Sequence, residues 1–459
     1  MSKTFHDLVT REDDRLALVD GATGAEVTYT QLSERADRVA AWLAAGGFGP
    51  GDVLALQAPN VPAWAGIALG AMRLGGAVTG VPVTATEAEV ARQTADAGAR
   101  TLLSAADIGP ELLAAAGDPP RPDVAPGAVA LLPYSSGTSG LPKGVMLTHA
   151  NLVTAVRQVQ SGIRLTPDDA VAALAPFSHV MGFVISLGVA LAAGARVITV
   201  PRFEPRSFVE LLERHRASIV IVPPPVMRLL AGSPRDLPDA ELFVSGGAPL
   251  GSELQRAVAA RFPHAAVGQG YGLTETTAVI TIPDRATGTV PGSCGRVAPD
   301  TEVRLAGGEL LVRGPQTMAG YLNRPDATVE MVDADGWVHT GDLARVDDDG
   351  NVFVVDRVKE LIKVNAWPVA PAELEALLAT HPAVADCAVV GRPDERYGEV
   401  PVGVVVARGD ADAGELLAFV AARVAPHKRL HDVRFVEAIP RTPAGKTLRR
   451  LLRDQPSYV

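Results

Sequence analysis

Residues 134–145, YSSGTSGLPKGV, hold three glycines, four Ser or Thr hydroxyls and one lysine in twelve positions. Consecutive backbone N–H groups in such a loop form a concavity for anions. Ser135, Ser136, Thr138 and Ser139 add donors and Lys143 adds positive charge, so phosphate is the guest this chemistry suits. The loop is not a Walker A motif, which places Gly directly before the Lys and Ser or Thr after it. Here Pro142 precedes Lys143 and Gly144 follows. On these residues alone, a surface loop without a ligand is an equal alternative. None of the nine histidines lies in HExxH or pairs with a cysteine at ligand spacing, and Cys294 stands far from Cys387, which weighs against a zinc site. His179 sits alone in the apolar text PFSHVMGF, where the ordinary role is a satisfied core residue. Lys446, in PRTPAGK, lies on a tight Pro- and Gly-bearing loop; an arbitrary lysine there would be a solvated surface group.

The elements that position these residues follow from composition and pattern. A chain of 459 residues holds about three structural units. With 47% hydrophobic and 20% charged residues it folds rather than remaining disordered. A net charge of −10 with no extended basic run weighs against nucleic acid and against an anionic membrane surface. The most apolar window, VMGFVISLGVALAAGARVITV, is interrupted by glycines and reads as a buried helix followed by a strand, not a membrane span. The amino terminus has no apolar core segment of a signal peptide, and with two distant cysteines the expected compartment is the reducing cytoplasm.

Short β-branched runs alternate with Ala- and Leu-rich amphipathic stretches, predicting layered α/β structure with parallel strands. Thr30 is the expected N-cap of a helix ending at Gly46 and Gly47, followed by a strand over 52–57. The glycine-rich loop is expected between a strand at AVALLPY and a helix at THANLVTAVRQVQ. From about residue 291 the text turns β-rich, and after Lys363 a compact unit mixes helix and strand signals. The expectation is a large N-terminal domain over 1–355, a charged hinge at 356–360 and a small, mobile α+β domain over 361–459.

The segment SSGTSGLPKG resembles the phosphate loop of the acyl-adenylate-forming superfamily, which includes acyl-CoA synthetases, 4-coumarate:CoA ligases, firefly luciferases and peptide-synthetase adenylation domains. Six more segments follow in that family's order: PFSHVMGF, VSGGAPL, GQGYGLTETTAV, GWVHTGDLA, VDRVKELIK and PRTPAGKTLRR. Many collinear motifs are far more specific than one. The motif text is most like that of 4-coumarate:CoA ligases and acyl-CoA synthetases. The resemblance implies ATP-dependent activation of a carboxylic acid as its adenylate, with pyrophosphate released, then transfer to CoA. It implies ATP, Mg²⁺ and CoA as cofactors, CoA less securely.

By the same resemblance, Ser135, Ser136, Gly137, Thr138, Ser139, Gly140 and Lys143 cradle the β- and γ-phosphates. Thr274 touches the α-phosphate and Glu275 ligates Mg²⁺, a hard cation suited to oxygen ligands. Tyr271 packs on adenine beside the backbone of Gly246, Gly247 and Ala248, and Asp342 and Arg357 hold the ribose hydroxyls. Lys446 bridges carboxylate and α-phosphate in adenylation, and the carboxy-terminal domain rotates about Lys359 between the two half-reactions. His179 gates the acyl pocket, whose lining positions are Met181, Phe183, Ile185, Gly246, Gly247, Gly272, Thr277, Ala278 and Val279. These are small or apolar with no arginine for a second carboxylate, which favours an aromatic, cinnamate-like or medium-chain acid.

The CoA tunnel positions are Lys363, Ala366 and Trp367. There the chain departs from the family: relatives carry glycine where this sequence has Ala366, and the added methyl bears on pantetheine access. Three readings therefore stand. They are a carboxylate:CoA ligase, a stand-alone adenylating enzyme serving a separate carrier protein, amine or other small nucleophile, and a catalytically silent ATP-binding homologue. The intact set of Thr274, Glu275, Asp342, Arg357 and Lys446 weighs against the third.

Overall fold

The first long helix, Tyr29–Ala45, shows how local chemistry sets an element boundary. The Thr28 hydroxyl accepts from the Gln31 amide while the Gln31 side chain accepts from the Thr28 amide. The cap is thus Thr28, not Thr30. A reciprocal cap needs Gln or Glu three residues on, which Thr28 has and Thr30, with Ser33, lacks. The helix stops at Gly46, and strand Val53–Gln57 follows.

The computed structural model describes residues 4–109, 112, 117–135, 142–357, 360–364, 367–394, 396–442, 445 and 447–453. The architecture is α/β, with two seven-stranded sheets. One runs Ala266–Gln269, Leu242–Ser245, Ile219–Val222, Ala170–Ala173, Arg196–Thr199, Leu16–Asp20 and Glu26–Thr28, parallel except for the last strand. In the central strand IVIV, Ile219 and Ile221 enter one core while Val220 and Val222 enter another. A strand covered on both faces has no polar side, so its text is continuously apolar. The first core lies among Leu18, Tyr29, Leu54, Trp64 and Val156, joining both large sheets through the helices between them. The second packs helices Pro205–Arg214, Pro224–Ala231 and Ser252–Arg261 on the outer face.

The other large sheet orders Gly320–Tyr321, Lys143–Thr148, Val129–Leu131, Ala77–Gly80, Val53–Gln57 and Ala99–Ser104, with Tyr134–Ser135 pairing Lys143–Thr148. This corrects the expected strand-loop-helix setting of the glycine-rich loop. The loop joins two antiparallel strands, and KGVMLT forms a strand before helix His149–Ile163 begins. Its apolar residues Val145 and Leu147 are buried in the sheet, which overrides a direct run into the helix.

The apolar window around residue 190 is also more specific than a plain helix. Met181–Gly188 is wound in wide π-helical turns, closed by the Val189 amide donating to the Val184 carbonyl, before helix Val189–Ala193 and strand Arg196–Thr199. A four-stranded antiparallel sheet runs Glu302–Ala306, Glu309–Arg313, Val338–Val346 and Val352–Arg357. The carboxy-terminal sheet, built from Trp367–Val369, Ile362–Val364, Gly398–Ala407, Val384–Asp394 and Asp432–Phe435, has cores of its own around Leu374, Val389, Leu416 and Val402. Among the described residues no helix is long and apolar enough to cross a membrane.

Candidate functional site

A cleft of about 1250 Å³ opens where the carboxyl ends of the parallel strands of both large sheets face each other. Residues just past those ends, including Ala58, Pro82, Ala175, Val200, Pro223, Gly246 and Gly270, line it. Side chains and amides converge there because parallel strands all deliver their exits to one edge.

The ribose pair expected from sequence is brought together by register. Asp342 and Arg357 face each other across an antiparallel pair, and the Arg357 Nε donates to Asp342 at 2.9 Å. Asp342 also accepts from the Tyr271 hydroxyl at 2.5 Å. Burial, and next the neighbouring Asp342 charge, push the Tyr271 phenol well above its ordinary value, so it stays a neutral donor. Arg357 lines the cleft. Tyr271, Asp342 and Ala248 are not among the residues that line it.

Thr274 and Glu275 sit on a tight turn, Thr274–Thr276, with the Leu273 amide donating to the Thr276 hydroxyl. Two following residues take left-handed backbone, Thr277 at φ 51° and Ala278 at φ 66°. That fold-back lays Ala278 against Gly272, where a Cβ would come within 2.2 Å of the Ala278 backbone. Glu275 is buried, and its Oε1 accepts from the Tyr321 hydroxyl at 2.6 Å. Tyr321, which the sequence analysis missed, also carries Lys143 over its ring at 4.9 Å. Burial first, then Glu275, raise its phenol pKa. Ser135, Lys143, Thr274, Glu275 and Tyr321 thus share one wall of the cleft. No sequence signal links Tyr321 to Glu275, since they lie on separate elements with no motif spacing.

His179 lines the cleft, and its Nδ1 accepts from the Met181 amide at 3.2 Å, which places the ring proton on Nε2. Burial lowers its pKa to about 4, so it is neutral at pH 7. The apolar wall includes Met181, Ile185, Ala278 and Val279, with Gly246, Gly247 and Gly272. Phe183 and Thr277 are not part of it. Phe183 packs on Phe5 and Trp64 with ring centroids at 5.2 and 5.5 Å, and the Thr277 hydroxyl donates to the Gln316 carbonyl at 2.6 Å. In wide turns, residues 181 and 185 face the cleft while 183 is turned into the core.

Lys363 is exposed, its amide donating to Glu399 at 2.8 Å, and exposed Trp367 lies 5.5 Å from the His427 ring. Ser136, Gly137, Thr138, Ser139, Gly140, Lys359, Ala366 and Lys446 lie outside the described residues. Beside Lys446, Gly445 approaches Pro223, and Thr442 lines the cleft.

Residues 5–322 match the family described as AMP-binding enzyme, and residues 373–446 match the AMP-binding enzyme C-terminal domain. The chain belongs to the AMP-binding enzyme family. As a relative, 4-coumarate--CoA ligase 5 of Oryza sativa subsp. japonica is 40% identical over 98% of this chain and 93% of its own length. The 4-coumarate--CoA ligase of Pinus taeda is 37% identical over 96% and 92%. Among solved structures, ATP-bound MatB from Rhodopseudomonas palustris superposes with a TM-score of 0.92 at 29% identity, covering 99% of each chain. The o-succinylbenzoate CoA synthetase of Bacillus subtilis, bound to its acyl-adenylate, reaches 0.89 at 26% identity, over 100% of this chain and 99% of the other. The cleft of this AMP-binding enzyme therefore sits in a fold shared with adenylate-bound and ATP-bound proteins.

Proposed function

We propose that the chain is an ATP-dependent carboxylate:CoA ligase acting on an aromatic, cinnamate-like or medium-chain acid. The observation that carries this reading is one cleft holding an apolar wall of Met181, Ile185 and Val279 beside the polar group of Lys143, Thr274, Glu275 and Arg357. A carboxylate oxygen attacks the α-phosphorus of ATP, and the bond to pyrophosphate breaks. The CoA thiol then attacks the acyl carbon, and AMP leaves with the pair of electrons of the broken bond. Lys143 and the loop from Ser135 steady the departing phosphates, and Arg357 takes a ribose hydroxyl while Asp342 fixes its guanidinium. Glu275 fits a Mg²⁺ site, because Tyr321 occupies Oε1 and the second carboxylate oxygen is a hard ligand. Bound there, Mg²⁺ would neutralise phosphate charge. His179, neutral and fixed at Nδ1, borders the acyl wall without adding charge to it.

The hinge at 356–360, with Lys359 at its centre, and the adenylation role of Lys446 belong to the same reading. So does cytoplasmic location. The names of the relatives above support CoA as acceptor and a cinnamate-type acid as substrate. Ala366 stands where relatives carry glycine, and because a carrier protein presents its thiol on the same pantetheine arm as CoA, this departure bears on both and favours, as the second reading, only a non-thiol acceptor such as an amine. Pyrophosphate exchange into ATP across a panel of acids, then AMP release with and without CoA, separates the two. AMP release stimulated by CoA with 4-coumaric acid is expected; acid-dependent exchange without CoA-stimulated AMP release would favour the second reading. Lys446→Ala should cut acid-dependent exchange about 10²- to 10³-fold, as loss of a transition-state contact does. Thioester formation from preformed adenylate should persist, and equal loss of both steps would refute the assignment.

A further inference from the structure

Arg441 donates from Nη2 to both Asp386 carboxylate oxygens, at 2.9 and 3.1 Å. From Nη1 it donates to the Gly445 carbonyl at 3.3 Å and to the Thr447 hydroxyl at 2.9 Å. One guanidinium therefore holds both neighbours of position 446, and a backbone bridge between Arg441 and Thr447 closes the turn. The turn in turn meets the large sheet's outer layer. A Cβ on Gly445 would lie 3.1 Å from Pro223, the residue that precedes helix Pro224–Ala231 and lines the cleft. On that same helix Arg228 donates to the Ala385 carbonyl at 3.1 Å, next to Asp386. The contacts form a closed ring: Arg228, Ala385, Asp386, Arg441, Gly445, Pro223, and back to the helix.

We infer that this ring is a latch: Asp386 and Arg441 hold Gly445 and Thr447, the two neighbours of position 446, and Arg228 clamps them at the cleft mouth for the first half-reaction only. The inference rests on the adenylation reading above. Arg441 is a positioning residue acting through the turn, and its planar fork is what lets one side chain reach a carboxylate, a carbonyl and a hydroxyl together. A lysine ammonium reproduces the charge but not that geometry. Arg228 carries the state dependence. Its bond spans from the large layered region to the carboxy-terminal sheet, so it exists only while those two are in this arrangement.

The test uses the full-length enzyme with 4-coumaric acid. Pyrophosphate exchange reads adenylation, and thioester formation from synthetic 4-coumaroyl adenylate and CoA reads the second step. Arg441→Met, Asp386→Asn and Arg228→Met should each lower the exchange rate about 10- to 100-fold, as a misplaced catalytic loop does, with KM for ATP and acid little changed. The thioester step should keep its wild-type rate, which also reports that each variant folds. Arg228→Lys, able to make the single bond, should restore exchange; Arg441→Lys should not. Wild-type exchange in Arg228→Met, or parallel loss of both steps in all three variants, overturns the latch. Absence of exchange by the wild-type enzyme with every acid overturns the adenylation reading itself, and the latch with it.

Discussion

Tyr321 illustrates what a single residue contributes that motif reading does not show. Its hydroxyl donates to a buried carboxylate, and its ring underlies Lys143, so one side chain touches both the proposed cation ligand, Glu275, and the proposed phosphate partner, Lys143. Tyr321→Phe keeps the ring and deletes the donor. A hydrogen bond to a buried charge is worth about 1.5–3 kcal/mol, so Mg²⁺-dependent ATP binding, measured calorimetrically, should weaken by about tenfold or more. Acid binding at the Met181 wall should be unaffected; equal weakening of both ligands would mean that Tyr321 only supports the fold. Asp342 and Arg357 were legible because they sit in tight motifs and on facing strands. Tyr321 was not, because its partner lies on a remote element and sheet pairing alone brings them together. Phe183 and Thr277 were misassigned for a related reason: a position next to lining residues in sequence need not share their face. Wide turns at 181–188 and left-handed backbone at 277 redirect both side chains.

At the scale of elements, strand and helix order followed from alternating β-branched and amphipathic runs, and the cleft lies at the carboxyl edges that parallel strands must share. The glycine-rich loop was harder to place. Its sequence reads equally well before a helix or a strand, and only burial of Val145 and Leu147 against the neighbouring strands decides for the strand. The turn after strand Leu242–Ser245 lets the proposed acyl wall be tested. A Cβ on Gly246 would lie 3.0 Å from the Met181 sulfur, tighter than ordinary contact. Gly246→Ala should therefore push Met181 into the acyl space. KM for a bulky cinnamate-type acid should rise several-fold more than for a short aliphatic acid, with KM for ATP unchanged. Steady-state kinetics on both acids checks this, and a uniform rise would place Gly246 outside the acyl wall. Gly272 tolerates less, since a Cβ there meets backbone rather than a flexible thioether.

The whole molecule carries a pH dependence that no motif announces. Burial holds His6, His149 and His179 near pKa 4, below the ordinary 6.5. His149 does so while its Nδ1 accepts from the Phe5 amide, docking helix Phe5–Val9. A depressed histidine stabilises the fold where both states are neutral, above about 6.5. As pH falls toward 4, the unfolded chain binds protons that the folded chain refuses, and stability is lost. Three such groups give a slope of at most about 4 kcal/mol per pH unit. Asp356 works the other way. Burial raises its carboxyl to about 6 although the Ala372 and Arg357 amides donate to it, so the folded state takes up its proton first. Its contribution is present below about 3.8 and lost as pH rises through 6. Between pH 6 and 4 the aspartate thus offsets about one of the three histidine protons. Urea unfolding midpoints should fall steadily from pH 7 to pH 4.5, and Asp356→Asn should make that fall steeper by about 1.4 kcal/mol per pH unit. Midpoints that stay level on acidification would show that the three histidines gain charge inside the fold, and an Asp356→Asn profile parallel to wild type would show that Asp356 is ionised there.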